Sequence, residues 1–423
     1  MWVFSFILLM WCITLIHFKK LEIYNIFISL MVLGLKIASY FNEKAKKGVQ
    51  GRSESFVKIK SLKGEKVIWM HAASLGEYEQ GFPVLQELKK NYPRHKILLT
   101  FFSPSGYENI VKKQNVADVV CYLPFDFKED IQRFVENFQT DIFFTIKYDY
   151  WYHLLAELKK RGTKIFAVSA LFYEKQIFFK PYGRWFVKQL KSNIDYFFHQ
   201  NEYSNELAKS ISLKQSVVSG DTRFDRVKQI RERDNFVPLI KEFKGNKPLV
   251  VFGSSWESEE KIVKMLLEKS PDIKVIIAPH DVKRILSLGN NPLLKYSELD
   301  KMNIKALASA NLLVIDSIGL LSKLYYYADI AVVGGGFHSA GLHNILEAAT
   351  FGKPVIFGNH YKKNPEADLL ITQNGGKAFA TEKEAVDFIL ELINDKKKMF
   401  RMSQNAENFI HSQPNATECI IEK

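Results

Sequence analysis

A chain of 423 residues is long enough for two hydrophobic cores plus an appendage, because single cores seldom grow past roughly 250–300 residues. Lys and Arg outnumber Asp and Glu by 59 to 46, and the formal charge of +13 calls for an acidic partner: nucleic acid, an anionic membrane surface or a phosphorylated substrate. The three cysteines, Cys12, Cys121 and Cys419, have neither CxxC nor zinc-ligand spacing, which argues against a disulfide-stapled scaffold and against structural zinc.

In chain order, the first 18 residues are apolar apart from Ser5, Thr14 and His17, and a helix of that length reaches about 27 Å, marginally a bilayer core. The stretch ends on Lys19-Lys20, with no positive charge ahead of it and no small-residue cleavage site behind it, so it reads as an uncleaved membrane anchor. The positive-inside rule then puts Lys19, Lys20, Lys44, Lys46, Lys47, Lys58 and Lys60 on the cytoplasmic side. Residues 21–41 are apolar but broken by Glu22, Asn25, Ser29, Lys36 and Ser39, which suits a second span, an interfacial helix or a helix docked on the first domain.

From Lys66 short β-branched or aromatic runs alternate with amphipathic stretches. Strands are expected at 67–70, 96–101, 119–123, 142–146, 164–168, 196–199 and 216–218, with helical patterns at 81–90, 107–113, 151–160 and 204–211. After a polar passage at 227–247 the alternation restarts, with strands at 249–252, 274–278, 312–315, 330–333 and 354–357 and helices starting near Ser258, Ser317, Leu342 and Asn364. Such alternation reads as two parallel sheets covered by helices on both faces. The expected organisation is a membrane anchor and interfacial helix at 1–42, Rossmann-like domains at 43–230 and 247–405, a linker at 231–246, and a C-terminal helix at 406–423 that packs back on the domains.

Two glycine-bearing strand-to-helix junctions carry the chemistry: His71-Ala-Ala-Ser-Leu-Gly-Glu77 and the run from Gly334 to Glu347. Helix N-termini and unshielded amides at such junctions attract anions. In the first, Ala72, Ala73, Ser74 and Gly76 leave the backbone approachable, and Glu77 is either a general base for a sugar hydroxyl or a first-turn acid complementing the helix dipole. Ser103 and Ser105 offer hydroxyls at a second helix entrance, as a cap or a substrate contact, and Pro124 and Asp126 end the next strand. In the second half Gly253-Ser254-Ser255 can present amides and hydroxyls to a phosphate, without the Gly-Lys-Ser of a P-loop. Gly334-Gly335-Gly336 lacks a full GxGxxG, so no dinucleotide cofactor is expected. Asn344 and Glu347 share one face of the helix expected from Leu342, a position suited to gripping a nucleotide, and His280 ends another strand as either a ligand contact or a structural histidine. His343 and Glu347 are four apart, but no HExxH motif accompanies them and no metal is expected. Nucleic-acid binding has only the net charge in its favour.

Assembled, these segments resemble the 3-deoxy-D-manno-octulosonic acid (Kdo) transferase family of lipopolysaccharide synthesis. The likeness runs through Trp69-x-His-Ala-Ala-Ser-Leu-Gly-Glu77, Thr100-Phe-Phe-Ser-Pro-Ser-Gly106, Leu123-Pro-Phe-Asp126, Ser219-Gly-Asp-Thr-Arg-Phe-Asp225 and Gly253-Ser-Ser-Trp-Glu257. It continues from Asp316-Ser-Ile-Gly319 through Tyr327-Ala-Asp329, Gly335-Gly336, His343-Asn344 and Leu346-Glu347 to Gly352-Lys-Pro-Val355, and so covers nearly all of the chain. The resemblance implies an α/β fold of GT-B type, two Rossmann-like domains facing a cleft behind an N-terminal membrane-anchoring helix. It also implies inverting transfer of Kdo from CMP-Kdo to the lipid A precursor, lipid IVA, with Glu77 as catalytic base and no cofactor. Implied donor contacts are Gly253, Ser254, Ser255, His280, Ser317, Gly319, Gly335, Gly336, Asn344 and Glu347, and implied acceptor contacts are Ser74, Gly76, Ser103, Ser105, Asp126 and Asp149. The expected location is the anionic cytoplasmic face of the inner membrane.

The chain departs from the family where Glu-Thr-Glu-Leu-Trp-Pro-Asn is usual and Lys147-Tyr-Asp-Tyr-Trp-Tyr-His153 stands, keeping an acid at Asp149 and the tryptophan at Trp151. Val168-Ser-Ala-Leu-Phe172 lacks the family's arginine, Leu342 replaces a glycine, and an Arg-His pattern is reduced to His280-Asp281. The rival readings are a membrane-associated GT-B enzyme with another nucleotide sugar and lipid, and a tethered binding protein that keeps only the fold.

Overall fold

The computed structural model describes residues 2–112, 116–286, 288, 293–301, 303–339 and 341–423, with residues 2–19 and 300–301 as backbone only. Contacts divide the chain into two units, 1–226 with 415–423, and 227–414.

The first unit holds seven parallel strands: β1 Lys66–Ala72, β2 Lys96–Phe101, β3 Val119–Tyr122, β4 Gln139–Ile146, β5 Lys164–Ala170, β6 Tyr196–His199 and β7 Ser216–Val218. Their order is β3-β2-β1-β4-β5-β6-β7, so the winding direction reverses between β1 and β4. Every residue of β1 after Lys66 is buried, as a central parallel strand covered on both faces requires. Val67 and Trp69 pack into one core with Phe134 and Phe143, while Ile68, Met70 and Ala72 pack into the opposite one with Val84, Leu85 and Phe144.

Ahead of this sheet, Trp2–Ala38 is one continuous helix. Lys19 and Lys20 do not break it, because straight-chain residues lose little freedom in a helix. The side chains of the expected anchor, residues 1–18, lie outside the described ones. From Lys20 the helix has two unlike faces. Tyr24, Ile28 and Val32 are buried against Trp185, whereas Ile23, Phe27 and Leu30 are at least 60% exposed. Lys20–Ala38 is long and apolar enough to cross a membrane, with a mean hydropathy of 1.7.

The second unit holds β8 Leu249–Ser255, β9 Lys274–Pro279, β10 Leu294–Lys295, β11 Leu312–Val314, β12 Ile330–Val333, β13 Val355–Gly358 and β14 Gly376–Phe379. Their order, β10-β11-β9-β8-β12-β13-β14, reverses between β8 and β12. The expected linker is not a free tether. Val237, Ile240 and Phe243 are buried, Val237 N–H donates to Tyr327 Oη (2.9 Å), and Lys244 Nζ pairs with Asp329 (2.9 Å).

The expected C-terminal helix is two helices. Lys396–His411 belongs to the second unit, and after Pro414 the chain returns to the first as Ala416–Ile421. There Thr417 donates both its backbone N–H and its hydroxyl to Asp225 Oδ2, each at 2.7 Å.

Candidate active site

In open α/β sheets ligands bind beyond the carboxyl ends of the strands where the winding reverses. In the first unit that point lies between β1 and β4, which brings the 73–77 junction beside the 147–151 loop. Ser74 is extended and ends the strand exit, and the helix Leu75–Asn91 begins behind it. Glu77 sits in its first turn and accepts a hydrogen bond from Ser74 Oγ (2.8 Å), which fixes the carboxylate. Gly76 is exposed, and a Cβ there would meet nothing nearer than Ser74 Oγ at 4.0 Å. Ser103 N–H donates to Ala73 O (2.8 Å) and ties the second loop to the first. Ser103 Oγ caps the helix Pro104–Ile110 through Ser105 N–H (3.2 Å) and lies 3.0 Å from the exposed Ser105 hydroxyl.

Near Glu77, Asp149, an implied acceptor contact, meets three residues to which the sequence reading gave no role, Trp69, His71 and Thr100. Thr100 Oγ1 accepts from Trp69 Nε1–H (2.8 Å) and lies 3.0 Å from His71 Nδ1. The hydroxyl accepts from the indole and still has a proton and a second lone pair, so it can serve either tautomer of the His71 ring. His71 Nε2 stands 3.6 Å from Asp149 Oδ2, and neither atom has a hydrogen-bond partner among the described residues. Burial holds the His71 midpoint down at about 3, so the ring is neutral. Burial pushes Asp149 up to about 7, with the nearby Glu77 charge adding to the shift and Lys147 opposing it.

The loop bearing Asp149 is held rigidly. Lys147 turns it with a left-handed φ of 63°, Lys147 N–H donates to Val168 O (3.0 Å), Tyr150 Oη to Lys147 O (2.8 Å), and Thr145 Oγ1 to Asp149 O (3.0 Å). The available sequence signal was a polar residue at the carboxyl end of an apolar strand: His71 pairs in register with Thr100 on one side and Thr145 on the other.

Asp126 has another duty than the implied acceptor contact. It is 2% exposed and its carboxylate is fully engaged, with Tyr24 Oη (2.5 Å) and His153 N–H (2.9 Å) on Oδ2 and Leu154 N–H (2.9 Å) on Oδ1. It satisfies open amides at the start of the helix Tyr152–Lys160 and fastens the apolar helix to the same spot.

In the second unit the reversal between β8 and β12 brings 253–256 beside 334–343. Gly253 abuts Tyr325, whose hydroxyl would lie 1.9 Å from a Cβ there. Gly336 lets β12 approach β13, since a Cβ would sit 2.7 Å from Gly358 O. Gly335 has φ 90° and supports the turn between them. Ser254 is half-buried with φ 52°, while Ser255 is fully buried and its hydroxyl reaches Ala278 O (3.5 Å). Ser317 Oγ is buried with no hydrogen-bond partner among the described residues, and Gly319, φ 98°, is exposed.

The helix expected from Leu342 starts at Leu346. His343 N–H donates to Gly334 O (3.1 Å), which draws residues 341–345 onto the strand end instead. Asn344 therefore precedes the helix. Its Oδ1 accepts from Leu346 N–H (3.0 Å) and its Nδ2 donates to Glu347 Oε1 (3.2 Å). Trp256, given no role from sequence, organises an aromatic cluster at the same strand ends. His280 stacks on it at 4.7 Å, His338 meets it edge-on at 4.8 Å, and His343 lies 4.7 Å from His280. Burial holds His343 down at about 4, with His280 and His338 adding to the shift, so its ring is neutral. Among the described residues no group of three or more His, Cys, Asp or Glu side chains is placed to hold a metal.

Residues 50–226 match the family model described as 3-deoxy-D-manno-octulosonic-acid transferase (kdotransferase). The chain is 27% identical to a 3-deoxy-D-manno-octulosonic acid transferase of Aquifex aeolicus over 81% of its own length and 89% of that protein's. It is 25% identical to the Haemophilus influenzae transferase of the same name, over 84% and 86%. A bifunctional glycosyltransferase/methyltransferase of Fusobacterium nucleatum is 27% identical over 76% of the chain, which spans about half (51%) of that relative.

Among solved structures, UDP-GlcNAc 2-epimerase from Neisseria meningitidis superposes with TM-score 0.57 at 16% identity, covering 84% of this chain and 98% of its own. A glycosyltransferase from Rickettsia africae gives 0.53 at 13%, covering 85% and 97%. These likenesses carry the fold alone, α/β of GT-B type. With the family model matched across the body of the first unit and Kdo transferases aligned over most of the chain's length, the chain is similar to the Kdo transferases, a family of glycosyltransferases.

Proposed function

We propose that this protein transfers Kdo from CMP-Kdo to the lipid A precursor, lipid IVA, with inversion at the anomeric carbon. The observation that carries this reading is Glu77, held by Ser74 beside the open Gly76 backbone at the winding reversal of the first unit. In the proposed reaction Glu77 takes the proton from the acceptor's primary hydroxyl, the freed oxygen bonds to the anomeric carbon of Kdo, and the bond to the CMP phosphate breaks. CMP departs as a phosphate monoester anion, so no acid is needed if fixed dipoles meet the charge. Backbone amides around Ser254 and Gly335–Gly336 supply those dipoles, Trp256 and His280 offer a flat surface to the base, and Asn344 and Glu347 grip the nucleotide. Ser103 and Ser105 meet the acceptor sugar. The protein acts at the cytoplasmic face of the inner membrane, anchored by its apolar helix, with basic residues facing anionic lipid and the acceptor's phosphates. Nucleic acid has no part in this reading.

The test is transfer in vitro with CMP-Kdo generated in place and lipid IVA, wild type beside Glu77→Gln, with products weighed by mass spectrometry. Wild type raises the acceptor mass in steps of one Kdo, and the variant is slower by about 10²–10⁴-fold while still binding donor. An intact acceptor in the wild-type reaction, with donor supply verified, overturns the proposal.

A further inference from the structure

Within the first unit, a cavity of about 600 Å³ lies between the apolar helix and the body. Phe27 and Tyr24 of that helix, Tyr150 and Trp151 of the loop after β4, and Phe178 and Trp185 farther along form its wall. Lys20 and Asp149 bring charge to its lining. Its size suits a small ligand or one arm of a larger one.

Three observations bear on the occupant. The wall is overwhelmingly aromatic and aliphatic, so a sugar or nucleotide inside would lose water without regaining hydrogen bonds, whereas a hydrocarbon chain gains from burial. The cavity is also continuous with the exposed face of the apolar helix: Ile23 and Phe27 line it while remaining 64% and 60% exposed. A chain already in a bilayer beside that face enters without crossing water. The wall's buried polar atoms include Asp149 Oδ2 and Trp151 Nε1, neither with a hydrogen-bond partner among the described residues. An acyl chain joined to a sugar by an ester or amide carries a carbonyl that can accept from the indole N–H. Asp149 also feels the Glu77 charge, which sets this cavity beside the proposed base.

We infer that the cavity seats one acyl chain of the lipid acceptor, with its sugar end directed to Asp149 and Glu77, so that the enzyme selects acylated acceptors. The inference rests on the acceptor reading above. Tyr148, Tyr150 and Tyr152 all line the cavity, on the loop after β4 and at the start of the helix Tyr152–Lys160 that follows it.

Gln189→Trp tests it. Gln189 is a half-buried lining residue on the helix Arg184–Asn193, and an indole there fills the cavity from its rim. Transfer is measured with lipid IVA and with the same disaccharide chemically deacylated, after circular dichroism and the unfolding midpoint confirm that the variant folds. The preference for the acylated acceptor, as a ratio of kcat/KM values, falls about tenfold, mostly through KM. An unchanged ratio overturns the inference.

Photo-cross-linking in vesicles separates failure of this inference from failure of the proposed reaction. Lipid IVA with a diazirine on one acyl chain labels peptides carrying Tyr150 and Trp185 in wild type and loses that labelling in Gln189→Trp. If a diazirine phosphatidylglycerol labels the same peptides and excess lipid IVA does not displace it, the occupant is bulk lipid and the inference fails.

Discussion

Asp149→Asn should remove a pH dependence of stability that the wild type carries toward neutrality. The Asp149 carboxyl is 21% exposed, and burial beside Glu77 moves its midpoint from 3.8 to about 7. Below pH about 4 the folded and unfolded chains both hold this proton. Between about 4 and 7 the unfolded chain releases it while the folded chain keeps it, so this group's contribution falls as pH rises and levels off above the folded midpoint. A displacement of that size corresponds to at most about 4 kcal/mol, and the water reaching a fifth of the side chain reduces it to roughly 2–3 kcal/mol. His71 works in the opposite sense, because its lowered midpoint contributes stability above about pH 6.5 that is lost as pH falls toward 3. The wild-type curve alone therefore mixes two slopes, and the difference between wild type and Asp149→Asn isolates one of them. Urea unfolding of both proteins in mild detergent, repeated from about pH 5 to pH 9, should show the variant gaining on the wild type until the advantage levels off above about pH 7. Parallel curves across that range would refute the assignment of a buried, largely protonated carboxyl beside Glu77.

Two further perturbations address the framework around the sites. Asp126→Ala leaves the Tyr24 hydroxyl and the His153 and Leu154 amides without their acceptor, so docking of the apolar helix should weaken by about 2–3 kcal/mol. Limited proteolysis should then cut faster around residues 39–42, and an unchanged cleavage rate would show that apolar packing alone holds the helix. Gly336→Ala places a methyl 2.7 Å from Gly358 O and 2.8 Å from Gly358 N, backbone atoms that cannot swing aside. The expected cost is about 1–3 kcal/mol in the second unit with weaker CMP binding, read by calorimetry, and wild-type values would show that the two strand ends can separate freely.

The two sheets were legible because parallel strands buried on both faces are written as short continuous apolar runs, as in Leu249–Phe252, and because glycine-bearing junctions punctuate them. Glu77, Ser74 and Gly76 are neighbours in sequence, so their meeting needed no knowledge of the tertiary fold. The network of Trp69, His71, Thr100 and Asp149 depends instead on the register between β1, β2 and β4, which no local pattern encodes. Asp126 looked like a ligand at a strand end for the same reason. Its partner Tyr24 is 102 residues away, on a helix whose docking the apolar pattern left open. The aromatic cluster at Trp256 was hidden because Trp256, His280 and the pair His338 and His343 follow three different strands, β8, β9 and β12. The late helix start at Leu346 follows from one long-range hydrogen bond to Gly334, which outweighs the local helical pattern.

One carboxylate, Asp126, grips both the apolar helix and the beginning of the helix that follows the Asp149 loop, through hydrogen bonds of 2.5–2.9 Å. An enzyme on a flexible leash samples every height above a bilayer and meets a lipid headgroup in a small share of its excursions. Here the loop is bolted to the helix, so once the exposed Ile23, Phe27 and Leu30 face lies in lipid, the Asp149 loop rides at a set altitude. Under the proposed function, its search for a lipid acceptor becomes a glide in two dimensions. Bilayer thickness then acts as a tuning variable, because a shift of the helix by one turn, about 5.4 Å, lifts or sinks the loop by as much.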